Sequence, residues 1–214
     1  MMNPNTELSV LQAVAQFFLY AVVAVFAENA VLFRALGVSR LIKLVNDPEV
    51  RTWQYCIPII WVQTLSAPLG WAAQNLLFPA LVRVLPVWFP PAALRPIIFV
   101  TCSLLAMGVV WLVLGASRNR AAYRDQLPAA TFNCCVLGTL LIGSNQNYTL
   151  AQSIAFGLGS GLGYAFIVFI VREGRRRLRS KAVPAIFQGL PSSMIYIGVL
   201  SLAIYALVGH SVVL

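Results

Sequence analysis

The sequence predicts an all-α integral membrane fold: six transmembrane helices arranged as a 3+3 inverted repeat, with broken or half-helices in the first and fourth segments. Three observations lead there. Of 214 residues 60% are hydrophobic and 10% charged, and the mean hydropathy is +0.83, far outside the composition of a soluble domain. Apolar stretches approaching the roughly 20 residues that cross a bilayer core at helical rise recur near residues 9–26, 53–73, 96–115, 128–144, 150–171 and 192–213. Thirteen of the fifteen Lys and Arg residues lie in alternate connections between those stretches.

The first stretch is preceded by Glu7 and by no Lys or Arg. A cleaved signal peptide has a basic start and a shorter apolar core, so residues 9–26 are expected as a retained helix. The following "AENAVLFRALGVSRLIKLVNDPEVR", residues 27–51, begins apolar, takes Glu28 and Asn29, and breaks at Gly37 before turning polar. This pattern predicts a short or discontinuous helix. Residues 53–73 and 96–115 read as uninterrupted spans that carry Cys56 and Cys102. The fourth span, expected to begin after Pro128, holds Asn133, Cys134, Cys135, Gly138 and Gly143 and has the look of a second discontinuous helix. In "GLGSGLG", Gly157 pairs with Gly161 and Gly159 with Gly163 four residues apart, which places small-xxx-small pairs on two faces of the fifth helix and predicts close helix packing. The same glycines do not fit the GxGxxG nucleotide loop, and no strand precedes them.

Charge orients the chain. Arg34, Arg40, Lys43 and Arg51 fall between the first two spans; Arg118, Arg120 and Arg124 between the third and fourth; Arg172, Arg175, Arg176, Arg177, Arg179 and Lys181 between the fifth and sixth. The opposite side keeps Arg83 and Arg95. By the positive-inside rule residues 34–51, 116–127 and 172–190 are expected as cytoplasmic loops, with both termini outside. The basic run at 172–181 abuts a membrane span and is read as a topological signal, without a nucleic-acid partner. Residues 1–214 are expected to form a single membrane domain, with a first repeat at about 9–115 and a second at about 128–213. Polar, glycine-interrupted segments at matching places in two three-helix halves point to broken helices that meet near the bilayer midplane.

Asn133 and the two thiols carry the candidate chemistry. Successive helical side chains diverge by about 100°, so Cys134 and Cys135 cannot both point at one centre. Both can be small buried hydrophobes, with Asn133 joining two helices by a hydrogen bond; alternatively one thiolate is a ligand to a soft metal. Four cysteines with no CxxC spacing, and one His, do not form a closed site by spacing. Glu28, an acid at a predicted membrane end, is either a functional group or a cap of the half-helix after it.

"TFNCCVLG", residues 131–138, resembles the "TTNCAVLG"-type motif of the RnfA and NqrE subunits, six-helix membrane components of the Rnf and Nqr ion-translocating electron-transport complexes. The likeness extends through "LAQSIAFGLGSGLGYAFIVFIVREGRRRL" and "VPAIFQGLPSSMIYIGVLSLAIYALVGHS", and the first half adds "ALGVSR". The resemblance implies a plasma-membrane translocase subunit that carries electrons through an iron or iron-sulfur centre. That centre would be shared with a homologous six-helix, RnfE/NqrD-like partner inside the larger complex. Cys134 matches the family's ligand, which makes Asn133, Asn29 and Glu28 candidates for supporting roles at the half-helices. The family's first-half cysteine has no counterpart: the two alignments of the first half place Phe33 or Ser39 there. Three classes of function remain, namely a redox-driven ion-pump subunit, a small inverted-repeat secondary transporter, and a structural subunit that has lost the metal site.

Overall fold

The computed structural model describes residues 4–47, 51–84, 93–115, 120–178 and 189–208. Among these residues the only regular elements are helices: α1 (Pro4–Phe26), α2 (Val38–Asn46), α3 (Thr52–Ala72), α4 (Phe78–Val84), α5 (Leu94–Gly115), α6 (Arg120–Thr131), α7 (Cys134–Asn145), α8 (Leu150–Leu178) and α9 (Leu190–Val208). A π-helical turn, Ala73–Leu77, joins α3 to α4 in one unbroken rod. Among the described residues four helices are long and apolar enough to span a bilayer, and a fifth span results if α6 and α7, bent by 53° at their junction, count as one. The apolar part of α1, Val10–Phe26, is shorter than these.

Three expected boundaries move. The fourth segment does not start after Pro128: α6 begins at Arg120 and runs through that proline. Ala, Arg, Gln and Leu favour helix there, and Pro128 removes only the one N–H that would have bonded the preceding turn. The break falls at Phe132 and Asn133 instead. The arginine run expected in a loop is helical as far as Leu178, where Arg175, Arg176 and Arg177 complement the negative end of the helix dipole. Glu173 adds exposed ion pairs to Arg176 at 3.7 Å and Arg177 at 3.6 Å, each of small worth in solvent. Within residues 34–51 the amphipathic α2 buries Leu41, Ile42, Leu44 and Val45. Residues 116–119, 179–188 and 209–214, parts of the expected loops and of the last span, lie outside the described residues.

The core is built around α8, which packs most extensively on α3 and α1. Its apolar window is 67% buried, against 11% for α9, so α8 is the axis of the chain and α9 leaves its surface to lipid or to a partner. Glycine makes the axis possible. Gly157 and Gly161 face α3, where an added Cβ would lie 2.7 Å from the Gln63 carbonyl oxygen and 2.9 Å from the Ile60 Cα. Gly159 and Gly163 face α1, where a Cβ would collide with Ala21 or approach the Asn29 amide at 2.8 Å. Two neighbouring helices therefore touch the α8 backbone itself, a contact that dispersion and close approach stabilise inside a membrane.

Candidate functional site at the helix breaks

A helix interrupted inside an apolar environment leaves backbone groups without partners, and each must be satisfied locally. One asparagine does so at each break. At the end of α1, Asn29 donates its amide to the Val25 carbonyl at 2.8 Å and accepts from the Val31 and Leu32 N–H groups at 3.0 and 3.3 Å. The chain then turns through left-handed Ala35 (φ 53°) and Gly37 (φ 79°), and Gly37 is the N-cap of α2. At the second break Asn133 adopts extended backbone as the N-cap of α7, and its carbonyl oxygen accepts from the Cys135 N–H at 3.0 Å. Its amide donates to the Tyr55 hydroxyl at 2.9 Å, which in turn donates to the Ala129 carbonyl at 3.3 Å. Asn133 is wholly buried.

The two breaks touch. A Cβ on Gly37 would collide with the Asn133 side-chain oxygen and lie 3.0 Å from the Tyr164 ring, and a Cβ on Gly138 would collide with Leu36. The Tyr164 hydroxyl donates to the Gly37 carbonyl at 3.3 Å. Glycine is required at position 37 both for its positive φ and for the room it leaves Asn133. The N-termini of α2 and α7 are thereby brought side by side, so the positive ends of two half-helices converge.

The thiols separate as their helical angle demands. Cys134, at the first position of α7, is exposed on the surface of the chain, whereas Cys135 is buried. Cys135 belongs to a polar cluster absent from the sequence-based candidates. Its sulfur accepts from the Gln63 amide at 3.2 Å, and its carbonyl accepts from the Thr139 hydroxyl at 2.8 Å. Thr139 is also 2.8 Å from the Ser160 hydroxyl. The Gln63 side-chain oxygen is buried without a hydrogen-bond partner. The available signal for this cluster was Gln63 itself, an amide in the middle of an apolar span. Glu28 does not cap α2; one of its carboxylate oxygens is buried without a hydrogen-bond partner.

The donor set limits what metal the chain can hold. Among the described residues no three His, Cys, Asp or Glu side chains converge, and Cys56 and Cys102 are buried in the cores of α3 and α5. The residue of α2 that occupies the helical position Cys134 holds in α7, immediately after the N-cap, is Val38. It offers no ligand. A thiolate centre taking two ligands from each of two subunits does not fit this chain, which presents one thiol at the junction.

Such an arrangement defines a multi-helix membrane protein organised around interrupted helices. The chain belongs to the Rnf-Nqr family, described as "Rnf-Nqr subunit, membrane protein", which matches residues 17–211. It is 28% identical over 197 residues to the A subunit of the ion-translocating oxidoreductase complex of Cereibacter sphaeroides, covering 90% of this chain and 96% of the relative. It is 29% identical over 199 residues to the E subunit of the Na(+)-translocating NADH-quinone reductase of Nitrosomonas europaea, covering 88% and 95%. A shorter match of 83 residues at 39% identity, covering 39% and 43%, links it to the A subunit of the Pasteurella multocida ion-translocating oxidoreductase complex.

Proposed function

We propose that this chain is a membrane subunit of a redox-driven, ion-translocating oxidoreductase of the Rnf/Nqr type. In this reading it lies in the bacterial inner membrane with both termini outside, beside a homologous six-helix subunit of the RnfE/NqrD kind. Its single domain comprises two inverted three-helix repeats, at about 9–115 and 128–213. The observation that carries the reading is the contact between Gly37 and Asn133, which joins two helix breaks from opposite halves of the chain, each with an asparagine that accepts from backbone N–H groups. Broken helices meeting from two halves are the signature of inverted-repeat membrane proteins.

Within that reading Cys134 is the one thiolate this subunit contributes to an iron or iron-sulfur centre shared with the partner. Its exposure at the α7 start and its place beside the α2 start support the assignment. With Val38 in the other position, a complete four-thiolate set needs a further ligand from elsewhere. The absent thiol also favours a second reading, a structural subunit that has kept the fold and lost the metal. Iron content and electron-transfer rate of the purified complex separate the two. Cys134→Ala should abolish the iron signal of the shared centre and stop electron transfer; equal iron and equal activity in wild type and variant would establish the structural role.

A further inference from the structure

At the arginine-bearing end of the domain a groove of about 430 Å³ lies between α8 and α9. One stripe of α8 forms its wall: Phe166, Phe169 and Ile170, then Glu173 and Arg177, recurring every three or four residues and so sharing a face. Tyr196 closes the other side from α9. It comes close because position 174 is glycine, where a Cβ would collide with the Tyr196 ring. Neighbouring helices hold the apolar part of the wall in place. The Phe166 ring meets Phe26 of α1 edge-on at 5.8 Å between centroids, and the Phe169 ring lies 4.8 Å from that of Trp53, exposed at the start of α3.

The chemistry of the groove changes along the helix in one direction. Phe166 precedes Arg177 by 11 positions, about 16 Å at helical rise, which is close to half of the roughly 30 Å hydrocarbon core of a bilayer. The wall is therefore apolar and aromatic over the depth of one leaflet and charged where that leaflet meets water. Tyr196 and Trp53 stand near the border, where amphipathic rings settle in membranes. A phospholipid has the same order of acyl chain and headgroup.

The charges at the rim give the sign of that headgroup. They are Glu173, Arg177 and, paired with the same carboxylate, Arg176. Arg172 and Arg175 turn inward instead, to the Thr52 hydroxyl and the Val45 carbonyl. Two guanidinium groups thus share one carboxylate through long, exposed contacts of small worth. One positive charge is left over, on a group whose planar fork fits phosphate oxygens.

We propose that this groove binds an anionic glycerophospholipid from the leaflet on the arginine side, with an acyl chain along Phe166, Phe169 and Ile170 and the headgroup phosphate at Arg177 and Arg176. Basic pockets between membrane helices hold anionic headgroups in this way. The inference needs the chain to lie in a bilayer, and it needs neither an iron centre nor electron transfer.

The test uses the assembled complex in nanodiscs of phosphatidylcholine that contain one of two probes, a phosphatidylglycerol or a phosphatidylcholine, each carrying the same diazirine in its acyl chain. After illumination, mass spectrometry locates and counts the adducts. On Phe166, Phe169, Ile170 and Tyr196 the phosphatidylglycerol probe should give roughly fivefold more adduct, the effect of about one basic residue at a membrane surface. The ratio should fall toward one when Arg176→Gln and Arg177→Gln are combined, and it should rise in Glu173→Gln, which releases both guanidinium groups. All three side chains are exposed, so the fold tolerates their exchange, and a variant that assembles poorly loses both signals without altering their ratio. Equal adducts from the two probes in the wild type overturn the anionic preference, and a ratio unchanged by the combined substitutions overturns the role of the arginines. Absence of adducts from either probe on these four residues would mean that a protein segment fills the groove, and the lipid site would be abandoned.

Discussion

The two helix breaks use the same residue for the same purpose and differ in where they anchor it. Among the described residues the side-chain hydrogen bonds of Asn29 are local, reaching back four residues and forward two or three. Asn133 caps its own half-helix and also reaches across to Tyr55 on α3, 78 positions away. The first break is held largely by its own sequence, and the second is held by the fold. They differ again in the residue just after the cap: Val38 in one half, an exposed thiol in the other.

The largest expected effect distinguishes these two anchors. Asn133→Leu strands the buried Cys135 N–H and removes the amide that Tyr55 accepts, and the lost cap and unsatisfied groups together should cost about 3 kcal/mol. Asn29→Leu loses local turn hydrogen bonds whose backbone partners can rearrange along the same segment, which should cost about 1–2 kcal/mol. Thermal unfolding of the purified complex reads both, with Asn133→Asp restoring part of the loss because it keeps the acceptor for Cys135. Equal losses at the two positions would mean that the link to Tyr55 adds nothing and that the breaks are equivalent.

A second effect, of about 2 kcal/mol from positive-φ strain and steric conflict, is expected for Gly37→Ala. Coupling between the breaks sharpens the comparison. Because the new methyl group would collide with the Asn133 side chain, Gly37→Ala in an Asn133→Ala background should cost less than in the wild type. The difference should be on the order of 1 kcal/mol in a double-mutant cycle. Additive losses would show that the breaks do not bear on each other, and the contact that carries the proposed function would go with them.

How much of the fold and site is legible in the sequence depends on the range of the forces involved. Apolar runs locate the starts of the long spans to within about two residues, since burial in lipid depends on composition over a turn or more, but miss the ends where the rod of α3 runs on to Arg83 and α8 to Leu178. Gly37 marks the first break, because a left-handed turn is local chemistry. Pro128 misleads: a proline inside a helix costs one hydrogen bond and some strain, while the cap offered by Asn133 five residues later defines the start of α7. The arginine run reads as a loop on topological grounds, although Arg is a good helix former and Glu173 supports the same turn. The partners of Asn133 and Cys135 are beyond reach. Tyr55 and Gln63 lie 78 and 72 positions away, and periodicity within one helix says nothing about which side chain of another will meet it. The small-residue pairs of α8 indicate two packing faces, without indicating that one face receives α3 and the other α1.

The smallest expected effect concerns the two adjacent thiols, and it decides how the metal test is to be interpreted. Cys135 is buried and accepts from Gln63; replacing it with Ala opens a small void and leaves that amide with only its 3.4 Å contact to Thr139. The cost should be about 1 kcal/mol. Cys134 is exposed and follows the cap, so Cys134→Ala should change stability by no more than about 0.5 kcal/mol in either direction. Unfolding of the two single variants, measured on complexes stripped of iron by a chelator, checks this ordering without any contribution from bound metal. A near-silent Cys134→Ala makes a loss of iron in that variant a loss of a ligand, because the half-helix that presents the thiol is still in place. If Cys134→Ala instead destabilised as much as Cys135→Ala, the thiol would be packed in the assembled complex, and the missing partner at Val38 would then be matched by a second cysteine that serves only to fill space.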